Sequence, residues 1–162
     1  MTRFSSHILA LAALLLCVSC AESGGDPCEY RLSAADCEAP VPESGDGQGL
    51  ARFGRQMQGM GEIRNGRLEG FWQFADDAGN RLREGHFEGG RATGFWKWYY
   101  PSGNLREEGQ IRDCQPEGFY KFYHENGQVA SEGSFEGGKR RGVWQYYDAQ
   151  GRSTGQRSYD CP

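Results

Sequence analysis

Four glycines, Gly70, Gly94, Gly118 and Gly142, stand 24 residues apart, and an aromatic-rich run follows each of them. The runs are Phe71-Trp72-Gln73-Phe74, Phe95-Trp96-Lys97-Trp98, Phe119-Tyr120-Lys121-Phe122 and Val143-Trp144-Gln145-Tyr146. Two more combs hold the same 24-residue spacing: Gly79, Gly103, Gly127 and Gly151, and Gly61, Gly85, Gly109 and Gly133. A period this regular marks a repeat architecture, whose units are too small to bury their own apolar faces and must lean on one another. A linear array is therefore the first requirement on the fold.

Within a unit, aromatic and polar residues alternate after the first glycine until a second glycine with a polar neighbour interrupts them, which reads as two strands and two turns. Asn126-Gly127 is the clearest turn, and Ala78-Gly79, Ser102-Gly103 and Gln150-Gly151 are its equivalents. The second strand carries Phe87, Ile111, Phe135 and Tyr159 at matching places. The predicted fold is all-β: an elongated antiparallel meander sheet of 24-residue hairpins, with units at 70–93, 94–117, 118–141 and 142–162. A degenerate unit at 46–69 precedes them, since Gly61, Ile63 and Asn65-Gly66 keep the spacing; its first strand, near Arg52 to Met57, matches poorly and reads as an end cap.

With strands about 4.8 Å apart, each unit advances such a sheet by about 9.6 Å. A lone hairpin is marginal in water, so the stability must come from rings stacked between units. Period-two alternation puts Trp72, Trp96, Tyr120 and Trp144 on one face beside Phe74, Trp98, Phe122 and Tyr146. The opposite face is mixed and wetter, with Phe71, Phe95, Phe119 and Val143, then Gln73, Lys97, Lys121 and Gln145, then Tyr99, Tyr123 and Tyr147.

The stretch Gly133-Ser134-Phe135-Glu136-Gly137-Gly138-Lys139-Arg140-Arg141-Gly142, followed by Trp144 and Tyr146-Tyr147, resembles the bacterial variants of the MORN repeat, a likeness extending over residues 50–160. Bacterial chains with this variant are often labelled antitoxin-like. MORN arrays elsewhere act in lipid association, dimerisation and protein scaffolding. The resemblance thus implies a binding role and leaves the partner open.

The N-terminus reads as an export signal over residues 1–19, with Arg3 as the positive region and Ile8 to Leu16 as an apolar stretch too short to span a bilayer. Val18-Ser19-Cys20 resembles the lipobox of bacterial lipoproteins, although Cys17 stands where leucine is usual. That resemblance makes Cys20 the acylated first residue of the mature chain; an ordinary secretory signal is the alternative. Ala21 is not the aspartate that retains such proteins at the inner membrane, so an outer-membrane anchor is expected. Residues 20–49, rich in Gly, Ser, Pro and Ala, carry seven acids against Arg31 alone and read as an acidic tether. The repeat domain, taken as 50–162, has 16 basic and 15 acidic residues, interleaved. Such a body lacks the basic field that nucleic-acid binding requires.

Four cysteines remain for an oxidising compartment, Cys28, Cys37, Cys114 and Cys161, and three pairings are open to them. Cys28 with Cys37 is the local loop. Cys114 and Cys161 occupy equivalent turns two units apart, which a regular sheet holds about 19 Å from each other, beyond the roughly 7 Å a disulfide allows. Either the chain end folds back or one of the two meets the N-terminal segment; the local loop favours fold-back.

Nothing in the sequence resembles catalytic machinery. His86 and His124 lie in different units at unequal offsets, which suits no metal site. Adjacent Glu107 and Glu108 point to opposite faces of a strand and read as solvated charges. No serine sits in a nucleophile elbow, and the glycines lie between strands rather than ahead of a helix, so neither phosphate-loop nor cofactor chemistry is expected. The expected function is a non-catalytic envelope lipoprotein, binding or scaffolding a protein partner through Lys97, Tyr99, Lys121, Tyr123 and Tyr147. An immunity or antitoxin protein is the runner-up, and an envelope hydrolase a remote third.

Overall fold

The structure is a computed structural model that describes residues 45–53 and 56–160 together with Cys37. The expected export signal, the expected lipidation site Cys20, Cys28, Cys161 and most of the expected tether lie outside the described residues. The chain forms a single ten-stranded antiparallel meander: β1 (Gly47–Phe53), β2 (Met57–Arg64), β3 (Arg67–Asp76), β4 (Arg81–Glu88), β5 (Arg91–Tyr99), β6 (Leu105–Arg112), β7 (Gln115–Tyr123), β8 (Val129–Glu136), β9 (Lys139–Tyr147) and β10 (Ser153–Asp160). Each strand pairs with its sequence neighbours only, so the sheet is open and β1 and β10 are its edges. This is the predicted hairpin-repeat sheet.

One edge is made of two-residue turns, set by the pairs Arg64↔Arg67, Glu88↔Arg91, Arg112↔Gln115 and Glu136↔Lys139. Both central residues of such a turn need positive φ to match the strand twist, which is why Gly89-Gly90 and Gly137-Gly138 stand there. The third turn keeps both positive φ values without a glycine, at Asp113 (φ +50°) and Cys114 (φ +64°), a conformation unfavourable for residues with a Cβ. The other edge carries longer turns, closed by bonds such as Gly103 N to Tyr100 O at 2.9 Å and Gly127 N to His124 O at 2.9 Å. Side chains there stitch one unit to the next: Tyr100 donates to Tyr123 O (2.7 Å), His124 Nε2 to Tyr147 O (2.9 Å) and Asn126 Nδ2 to Ala149 O (2.6 Å).

The ring ladder forms the core. Trp72, Trp96, Tyr120 and Trp144 are fully buried, although among the described residues no second layer covers the sheet. A bulge in every repeat provides the closure: between Glu84↔Lys97 and His86↔Thr93, three residues of β5 face the single Gly85 of β4, and Gly94 in that bulge has φ +68°. A strand bent there brings its tryptophan down over the glycine of the preceding strand. A Cβ added at Gly61, Gly85, Gly109 or Gly133 would fall among the ring atoms of Trp72, Trp96, Tyr120 or Trp144 respectively. Those glycines are floor plates under the rings. Phe87 and Phe135 complete the packing edge-on, with centroids 5.0 Å from Trp96 and Trp144. Full burial of one such ring is worth about 1.5–3 kcal/mol.

The first hairpin is offset by one residue. Gly49↔Gly61 and Ala51↔Gly59 occupy the places of Trp72↔Gly85 and Phe74↔Arg83, so the equivalence there is 23 residues instead of 24. Its pairing runs straight into a short connection, whereas the later hairpins shift register between residues such as Phe74 and Ala75. The strand placed near Arg52 to Met57 is therefore corrected to Gly47–Phe53, and Phe53 caps the ladder with its ring 5.8 Å from Trp72 and 5.5 Å from Phe74.

The expected cysteine pairing is corrected as well. Cys37 is bonded to Cys114, with Cα atoms 5.1 Å apart; this is the alternative in which Cys114 meets the N-terminal segment, and it replaces the favoured Cys28–Cys37 loop and fold-back of Cys161 onto Cys114. Cys114 sits on a turn at the sheet edge, where a segment arriving from outside the array can reach it without disturbing the strands.

Replacing Gly85 by Ala should destabilise the chain by about 1–3 kcal/mol, because the tryptophan floor cannot move, while Gly45→Ala, which meets nothing, should be silent; paired thermal melts check both. Peptide mapping of the oxidised chain should recover Cys37 linked to Cys114, and reduction should lower stability by about 2–4 kcal/mol.

Candidate functional site

Alternation along each strand leaves a second, outward face. A continuous row crosses all ten strands there: Leu50, Met60, Gln73, Glu84, Lys97, Glu108, Lys121, Glu132, Gln145 and Gln156, each registered against the next. Its middle alternates in sign across five strands. Opposite charges directly across an antiparallel pair attract, and Lys121 Nζ lies 3.3 Å from Glu132. Amides extend the row, Gln73 Nε2 donating to Glu84 at 3.0 Å and Gln145 Nε2 to Gln156 at 3.1 Å.

The expected binding residues Lys97, Tyr99, Lys121, Tyr123 and Tyr147 do share this face, but the tyrosines are engaged within the sheet. Tyr99 donates to Glu84 at 2.6 Å, Tyr123 to Glu108 at 2.6 Å and Tyr147 to Glu132 at 3.0 Å. Burial and the bond to its glutamate hold both the Tyr99 and the Tyr123 hydroxyls above the ordinary tyrosine range, and at Tyr147 the bond to Glu132 leads. Burial pushes Glu84 up, yet the bonds from Tyr99 and Gln73 and the charges of Arg81 and Lys97 outweigh it and hold the carboxyl low. Arg81 seals the first pair, its guanidinium 5.2 Å from the Tyr99 ring centre and 3.7 Å from Glu84. Glu84, Glu108 and Glu132 also stand 24 residues apart, a comb of carboxylates alongside those of the glycines and rings.

What the face offers to a ligand is the neighbouring row. Phe71, Phe95, Phe119 and Val143 keep 47, 47, 55 and 52% of their surface exposed, with Leu50 and Met60 at the β1 end also exposed. Standing on alternate strands, they repeat every two strand spacings, about 9.6 Å. Next to them His86 lies against Phe71, with ring centres 5.2 Å apart, and Lys121 Nζ stands 5.7 Å from the centre of Phe119. A shallow depression of about 500 Å³ lies on this face where β1, β2 and β3 meet, lined by Gln48, Met60, Glu62, Glu69, Phe71 and Gln73.

The remaining candidates for chemistry are dispersed. Glu107 and Glu108 do point to opposite faces, but Glu107 is corrected from a solvated charge to a buried one, 4% exposed among the rings and 2.7 Å from Arg106 Nη2. His86 packs on a ring and His124 serves a turn. Among the described residues no three of His, Cys, Asp and Glu gather as a metal would need, and no helix is long and apolar enough to cross a membrane.

With this geometry in hand, the repeats can be assigned. The family profile described as MORN repeat variant matches residues 93–113 and 116–136, the third and fourth hairpins of the sheet. These central units carry the MORN signature, and the ring, glycine and turn combs extend the same pattern to both sides. A search of curated proteins finds no match to the chain.

Because the folded-state values of the outward tyrosines are raised, their contribution to stability is intact below about pH 10 and is lost as pH rises through the folded values. Phenolate absorbance should show Tyr99, Tyr123 and Tyr147 ionising above the tyrosines of the urea-unfolded chain, and Tyr99→Phe with Tyr123→Phe should shrink that delayed fraction.

Proposed function

We propose that this chain is a non-catalytic cell-envelope lipoprotein that displays the outward face of a MORN-type sheet to a protein partner. The observation that carries the reading is the division of labour between the two faces. One face commits its rings to holding the array together. The other leaves an apolar row exposed at the repeat interval beside a ladder of alternating charge. Apolar patches rimmed by polar groups are what protein-binding surfaces present. The neutralised ladder favours a partner that is read by shape and by paired hydrogen bonds instead of by net charge.

In this reading Cys20 is acylated at the outer membrane and the acidic tether holds the sheet off the bilayer, since its acids are repelled by anionic headgroups. Lys97 and Lys121 flank the apolar row and take part in capture, while Tyr99, Tyr123 and Tyr147 keep the ladder in register.

The test is crosslinking and affinity capture from membranes with the wild-type chain and with Phe95→Ser plus Phe119→Ser, which alters exposed rings and spares the core. Capture should fall at least tenfold while the melting curve stays within a few degrees; equal recovery of the same partner by both chains would reject this face. Cys20→Ala should release the chain from the membrane fraction, and mass analysis of the mature N-terminus reads the acyl group directly. If deletion of the gene is harmless except when a neighbouring gene is expressed, the captured partner is a toxin and the module is its antidote.

A further inference from the structure

The last unit departs from the others at four places on the ring face. Leu68, Ala92 and Pro116 are buried at one position in successive units, and β9 has Arg140 there. The position of Phe74, Trp98 and Phe122 becomes Tyr146, and that of Phe87, Ile111 and Phe135 becomes Tyr159. The floor glycines Gly61, Gly85, Gly109 and Gly133 end in Arg157. Apolar or absent side chains thus give way to hydrogen-bond donors in the last two described strands, β9 and β10.

These side chains converge. Arg140 Nη1 donates to Tyr146 (3.0 Å) and to Tyr159 (3.1 Å), whose hydroxyls lie 2.7 Å apart. The Arg140 guanidinium stands 4.5 Å from the Trp144 ring centre, and that of Arg157 stands 5.2 Å from the Tyr159 ring centre. Together with Thr154 and Gln156 they line an open depression of about 540 Å³. Elsewhere in the sheet Arg64, Arg81, Arg106, Arg112, Arg141 and Arg152 each pair with a carboxylate. Among the described residues neither Arg140 nor Arg157 does, and they share this with Arg67 and Arg91 beside the two-residue turns; what sets them apart is that both line one depression.

Proton counting sharpens the chemistry. Each hydroxyl has one proton, and the contact between the two uses one of them, so the other remains to donate into the depression. Within the hydroxyl pair the two groups move apart: burial and the bond to Tyr159 push the Tyr146 hydroxyl up, while at Tyr159 burial is outweighed by the bonds from Tyr146 and Arg140 and the charges of Arg140 and Arg157, which hold it low. A carboxylate would neutralise one guanidinium and leave the second. A phosphate group supplies up to two negative charges and three strong acceptor oxygens, which suits two guanidiniums and a hydroxyl.

We propose that the depression at the β10 edge formed by Arg140, Tyr146, Arg157 and Tyr159 is a binding site for a phosphate group, separate from the exposed apolar row Phe71, Phe95, Phe119 and Val143. The group is a free phosphate compound or a lipid headgroup, and the experiment separates them. Calorimetric titration of the full chain at low ionic strength uses inorganic phosphate as probe, with acetate as control; flotation uses phosphatidylcholine vesicles with and without phosphatidic acid. Saturable binding of phosphate in preference to acetate is expected, weakened at least tenfold by Arg140→Leu and by Arg157→Gly. Both variants restore residues that other units carry at those positions, and unchanged melting curves confirm their folding. Retention on phosphatidic acid vesicles, lost in both variants, assigns a lipid headgroup, whereas phosphate binding without vesicle retention assigns a soluble compound. No saturable response to either probe, equal affinity for acetate, or variants that bind as the wild type does would each overturn the proposal.

Discussion

Every other property of this sheet depends on the contact between a tryptophan or tyrosine ring and the backbone of a glycine on the strand before it. The contact solves a problem intrinsic to a one-layer sheet, whose two faces would both meet water. Bent at its bulge, β5 sets Trp96 flat over Gly85, and the edge of Phe87 closes the remaining side. Since the glycine has no side chain, the ring approaches backbone, and its indole N–H finds the carbonyl of Thr93 at 3.0 Å without leaving the core. The same contact recurs at Trp72, Tyr120 and Trp144. Because each ring rests on one hairpin and belongs to the next, stability passes along the array from unit to unit, as expected for a repeat fold.

How far the sequence could be read follows from that contact. A constraint that repeats in register leaves a comb, so the ladders, the face each occupies and the turn positions could all be taken from spacing. What escaped has no period. The first hairpin is displaced by one residue because its connection lacks the register shift of the others, and a search at 24 residues looks past it to Arg52 and Met57. The Cys37–Cys114 bond joins positions 77 residues apart, one of them outside the repeats, so neither spacing nor parity could select it. Glu107 looked like any surface acid. Its burial follows from the inward parity it shares with Arg83 and Ser131, two more residues with no common chemistry at 24-residue spacing.

The outward face is legible only in part for a related reason. Alternation identified which residues point outward, but not which of them are already engaged. Tyr99, Tyr123 and Tyr147 resemble interface residues by composition, yet their hydroxyls are bound to Glu84, Glu108 and Glu132. The simpler row of Phe71, Phe95, Phe119 and Val143 remains uncommitted because it stands beside small or polar neighbours such as Gln110 and Ser134. The composition of a surface indicates what it could recognise, whereas its internal bonds indicate what is left over for recognition.

The crosslink between Cys37 and Cys114 also decides where a mechanical load would enter. Tension carried by the chain ahead of Cys37 passes through the sulfur bridge to the turn between β6 and β7, at the middle of the array. It bypasses β1, the exposed strand from which a meander would otherwise unzip one hairpin at a time. A pull applied ahead of Cys37 would thus be met by several hairpins on either side, and the outermost ribbon would carry almost none of it.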